Sequence, residues 1–105
     1  MGQANIYDEE KVLYFASREA GFHLKPDEPR FSDARLLADE LEASGLIHVV
    51  KAEAGNRWYR TTIHGDIELL NKQISWRSLR GKDVDQHKAK RDELMLQLQE
   101  DRANA

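Results

Sequence analysis

Four stretches of this chain repeat apolar residues at helical spacing, and two short ones alternate as strands do. The first helix is predicted over residues 7–20. Asp8, Glu9 and Glu10 sit where the helix dipole favours anions, Val12, Phe15 and Ala16 share a face, Leu13 and Ala20 fill the adjacent stripe, and Gly21 is the stop. Tyr14 and Phe15, aromatic at helical spacing, are assigned to the core. Two prolines punctuate residues 22–31, and Pro29 turns Glu28 away from helical backbone, so the segment reads as a short strand or loop followed by at most one turn. Ser32 caps the next helix, Asp33 to Ser44, whose buried stripe is Ala34, Leu36, Leu37 and Leu41 and whose left-handed stop is Gly45.

Ile47 to Lys51 is β-branched and alternating, and Arg57 to Thr61 is its partner strand. The connection Glu53-Ala54-Gly55-Asn56 supplies the positive-φ residues of a tight hairpin, with Gly55-Asn56 at the tip. On a period of two, Tyr59 and Thr61 face one way and Trp58 and Arg60 the other. Thr62 caps a helix over 63–78, with Ile67, Leu70 and Ile74 in one row and Leu69 and Trp76 beside it, and Gly81 ends the run. A last, strongly charged helix follows over 83–102, its apolar content gathered in Leu94, Met95, Leu96 and Leu98.

Two signatures bracket the hairpin: Leu41-Glu42-Ala43-Ser44-Gly45-Leu46-Ile47 on entry and Tyr59-Arg60-Thr61-Thr62-Ile63-His64-Gly65 on exit. Helix, two-stranded ribbon and helix in that order, with L-x-x-x-G-L-I followed by Y-x-x-T-x-x-G, resemble the winged-helix family. The matching motifs cover residues 36–70, about a third of the chain, and the position of Trp76 is similar to that in small prophage- or plasmid-type bacterial proteins of this kind. The resemblance implies a mainly α, α+β fold: a winged-helix-like domain over residues 1–81 with a two-stranded wing, and an extra C-terminal helix over 82–105. It also implies double-stranded DNA as the partner and transcription regulation as the role.

Charge changes where that DNA contact belongs. The net charge is −3, but residues 1–45 carry five basic against ten acidic side chains, residues 46–82 seven against three, and residues 83–105 four against six. Only the hairpin third is basic, enough to focus a local positive potential on an acidic protein. The helix in the recognition position carries Asp33, Asp39, Glu40 and Glu42 against Arg35, so a major groove would meet carboxylates there, the reverse of what counterion release rewards. Lys51, Asn56, Arg57 and Arg60 on the hairpin are therefore the leading candidates, with Arg35 and Arg30 behind them. Lys72, Arg77, Arg80 and Lys82 form either a second basic strip or an ordinary solvated helix end.

Trp58 on the open strand face is a candidate to stack on a base or anchor a protein, or else lies as a lid over a helix. Leu94, Met95 and Leu98 either dimerise the chain through its last helix or close onto its own core, and a homodimer is expected. The competing role is a phage- or plasmid-type protein-interaction module without DNA binding, suggested by the acidic helix, the net charge and Trp58. Catalysis has no foothold. The four histidines lie at no metal-ligand spacing, and there is no phosphate loop or nucleophile elbow, so no enzyme activity, metal or cofactor is expected. Without cysteine there is no disulfide framework, and the first residues lack the features of a signal peptide, so a cytoplasmic location is expected.

Overall fold

The computed structural model describes residues 7–26 and 32–103. Arg30, and the cap expected of the Ser32 side chain, lie outside what is described. The chain is α+β and mainly helical, with four helices and a three-stranded antiparallel sheet compatible with a winged-helix-like fold. The order is α1 (Glu9–Ser17), β1 (Phe22–Leu24), α2 (Ser32–Ala43), β2 (Ile47–Glu53), β3 (Asn56–Thr61), α3 (Ile63–Leu79) and α4 (Asp85–Ala103). No helix of the described residues is long and apolar enough to cross a membrane.

α1 begins where the Asp8 carboxylate accepts the Lys11 backbone N–H at 2.8 Å. It stops at Ser17, short of the expected 20: the Arg18 N–H bonds back to Phe15, and Gly21 closes a turn onto Arg18 at φ +78°. Its buried residues are Val12, Leu13 and Ala16. Tyr14 and Phe15, expected in the core, are instead 43% and 41% exposed. The helix presents one row to the sheet, and these two residues lie at its edge, where Phe15 still meets the Phe22 ring at 6.5 Å.

Residues 22–24 form a true third strand. Phe22 pairs with Tyr59, His23 with Trp58 and Leu24 with Arg57, so β3 lies between β1 and β2. The β2–β3 hairpin turns at Ala54 (φ 51°) and Gly55 (φ 84°), one residue earlier than expected, and Asn56 opens β3 opposite Glu53. A bulge leaves Val50 unpaired between Val49–Tyr59 and Lys51–Trp58, and Val50 is half exposed. Tyr59 is fully buried, as its place in the alternation requires.

In α2 the buried row is Ala34, Ala38 and Leu41, with Leu37 packed partly against it, while Leu36 is 66% exposed. A row at i, i+4 and i+7 from Ala34 places Leu36 on the opposite side, which corrects its assignment to the core.

The two signatures meet. α2 ends in a Schellman turn: Gly45 sits at φ +79°, its N–H bonds to Glu42, and Leu46 N–H bonds to Leu41. The Thr62 hydroxyl donates to the Gly45 carbonyl at 2.6 Å and accepts the Gly65 N–H at 3.1 Å, while Thr62 N–H bonds to the Leu46 carbonyl at 3.0 Å. A side chain at Gly65 would run into the Leu46 carbonyl oxygen. One corner thus uses the glycines of both signatures and the threonine between them.

α3 ends in a second Schellman turn at Gly81, with Lys82 N–H bonded to Arg77. α4 folds back along α3 and buries Leu94 against it, and the Arg91 guanidinium reaches Asn71 at 3.3 Å. Across the other side of α3, Lys72 bridges Glu9 at 2.8 Å and Glu68 at 3.7 Å, tying α1 to α3.

Candidate nucleic-acid interface

The hairpin candidates divide between the two faces of the sheet. Arg57 lies on the same face as Tyr59, two residues on, and its guanidinium donates to the Tyr59 hydroxyl at 3.4 Å. Just past the edge of the core, it overhangs α2. There Arg35 donates to the Lys25 carbonyl at 2.8 Å, and Leu24, Lys25, Pro26, Arg35, Asp39, Gly55 and Arg57 line a groove of about 280 Å³. β1, the hairpin turn and the N-terminal half of α2 build it together, so two cations 22 residues apart in sequence face one space.

Both guanidiniums bond to neutral oxygens, a carbonyl and a phenol, and neither makes an ion pair among the described residues. The Tyr59 hydroxyl, with Asp39 and Glu42 at longer range, raises the pKa of Arg57 from its ordinary value. Among the described residues that line the groove Asp39 is the one carboxylate, and an anion must avoid it.

The opposite face is organised differently. The His23 ring stacks on Trp58 with centroids 4.3 Å apart and planes 3° from parallel, while Lys51 Nζ sits 4.7 Å from the indole centroid. β1 and β2 flank β3 on opposite sides, so imidazole and ammonium cover the indole from both faces. Trp58 is thus half-buried and engaged by His23 and Lys51 rather than standing open on the strand face. Asn56 is committed as well, donating to the Glu53 carbonyl at 3.1 Å while its amide oxygen meets His23 Nε2 at 2.9 Å. Arg60 is half-buried beside Gly21, and its Nε has no acceptor among the described residues.

The structure therefore brings Arg35 and Arg57 together and sets Lys51 and Arg60 on the other face. Asn56 braces the turn. Of the three residues proposed to meet a partner on α4, Leu94 is buried on its own α3, Leu98 is half-buried and Met95 is 46% exposed. Sequence reasoning passed over His23 and Lys25. The alternation at Phe22-His23-Leu24 ahead of Pro26 was the available signal, since a strand there places His23 across from Trp58. No cluster of three His, Asp or Glu side chains able to hold a metal occurs among the described residues.

No protein-family model, curated protein or solved structure matches this chain significantly. The fold and the groove stand on their own chemistry.

Proposed function

We propose that this protein is a small DNA-binding regulator that grips duplex phosphates in the groove between the hairpin and the N-terminal half of α2. One observation supports this most: Arg35 and Arg57 converge on a single open groove, and among the described residues neither has a carboxylate partner of its own. Planar guanidiniums bonded only to neutral acceptors retain donors for a phosphate, and bidentate contact with one suits them. Lys25 lines the same groove and adds a third positive charge to it. The outward row of α2 stays out of the contact, because Asp33 and Glu40 would be set against phosphates. A cytoplasmic location goes with this role.

The test is fluorescence anisotropy of a labelled duplex titrated at several salt concentrations. The reading predicts binding at low salt whose log–log salt slope falls by about two in Arg35→Ala/Arg57→Ala, roughly one per lost phosphate contact. Absence of binding at low salt, or an unchanged slope in the double variant, overturns it.

A further inference from the structure

Asp39 is the one polar side chain lining the groove that a phosphate does not explain. It lies on α2 one turn beyond Arg35, on the flank that faces the hairpin, and it is exposed. That spacing suits an ion pair, yet none forms. Arg35 turns instead to the Lys25 carbonyl at 2.8 Å, and Asp39 is in no ion pair among the described residues. Glu42, next on the same flank, is not among the described residues lining the groove. One space of about 280 Å³ therefore offers the donors of Lys25, Arg35 and Arg57 together with a single free acceptor. A ligand that is anionic throughout satisfies the cations and is repelled by the carboxylate. One that carries a phosphate with an amino group nearby satisfies both.

We infer, resting on the DNA reading above, that Asp39 selects a cytosine in the duplex whose phosphates Arg35 and Arg57 hold. On the major-groove edge, guanine presents two acceptors, thymine an acceptor and a methyl group, and adenine an acceptor beside its amino group. Cytosine alone presents an amino donor with no acceptor next to it, so it alone meets a carboxylate without repulsion. The dimensions agree. Asp39 lies about 6 Å further along the helix axis than Arg35, and the major groove is about 8.5 Å deep from its phosphate rim. A cation and a carboxylate on one flank thus reach from backbone to base. Asp33 and Glu40 point about 100° or more away from Asp39 around the helix and stay clear of the contact. The Asp39 carboxylate weakens binding to every sequence through its charge, and the cytosine contact offsets that at one position only.

The test is selection of the full chain on duplexes with a randomised core, followed by sequencing, for wild type, Asp39→Ala and Asp39→Asn. Asp39 is exposed, so both variants keep the core intact, which circular dichroism checks. Wild type is expected to favour cytosine about tenfold at one position. Asp39→Ala should lose that preference alone, while anisotropy at low salt shows it binding an arbitrary duplex more tightly than wild type. Asp39→Asn should move the preference at the same position to adenine, whose acceptor and donor an amide matches. A merely structural Asp39 would instead lower affinity for all sequences alike. The inference falls if Asp39→Ala keeps the wild-type base preferences, if wild type shows none, or if the alanine variant binds every duplex more weakly. Those outcomes leave the phosphate grip of Arg35 and Arg57 standing, whereas a wild type that binds no duplex removes both.

Discussion

The corner joining α2–β2 to β3–α3 and the arm that β2 and β3 extend beyond it are built on opposite terms. At the corner, Thr62 donates to Gly45 and accepts from Gly65, Leu46 takes the Thr62 N–H, and Gly65 leaves the Leu46 carbonyl no room for a Cβ. In the arm, side chains satisfy one another on the surface: His23 on Trp58, Lys51 on Trp58, His23 on Asn56. The residues that carry the winged-helix resemblance are those of the corner, and their work is to hold backbone together. The cations available to a ligand lie outside the signatures or at their margin. A shared fold signature here speaks for architecture, and function has to be argued from Arg35 and Arg57 separately.

Substitutions that strike the corner should therefore cost far more than those in the arm. Gly65→Ala forces a methyl against the Leu46 carbonyl and should cost about 3 kcal/mol or more, read as a large drop in the urea midpoint at unchanged m-value. Thr62→Val keeps the shape but deletes the cap and the bond to Gly45, at about 1.5 kcal/mol in the same assay. Ala54→Gly goes the other way. A non-glycine residue at φ 51° carries local strain, and relieving it in the arm should add about 1 kcal/mol to stability with no effect on the corner. If Ala54→Gly proved destabilising, the turn would not be held as described.

Lys72→Met is the smallest change. The Glu9 carboxylate that accepts from its ammonium raises the Lys72 pKa above its ordinary value. A raised folded-state pKa stabilises the protein fully below the unfolded value, about 10.4, and that contribution is lost as pH climbs through the folded value. Both side chains are about a third exposed, so the pair is worth about 0.5 kcal/mol at neutral pH. Thermal melts should show that difference at pH 7 and lose it at strongly alkaline pH.

Much of the frame was legible in the sequence because single residues dictate it. Gly45 reads as a left-handed stop, Thr62 as a cap, and Tyr59 as the inward member of an alternating strand, and all three hold those places. Hydrophobicity alone misleads in α2: Leu36 outranks Ala38, yet the buried row set by Ala34 and Leu41 takes in Ala38 and leaves Leu36 on the opposite side. Gly55-Asn56 is the pair better suited to positive φ, but the bulge at Val50 and the Glu53–Asn56 pairing set the turn one residue earlier, at Ala54–Gly55. The fate of Trp58 depended on β1, whose pairing with β3 is a long-range event no local pattern reveals. The same holds for the groove, since neither Arg35 nor Arg57 announces the other.

The most direct measurement is an amide chemical-shift titration of the labelled protein with a short duplex at low salt. The account predicts shifts gathered at Lys25, Arg35, Gly55 and Arg57, with Gly45, Thr62 and Gly65 unmoved. Shifts centred on Asp33, Leu36 and Glu40, or no shifts at all, would contradict it.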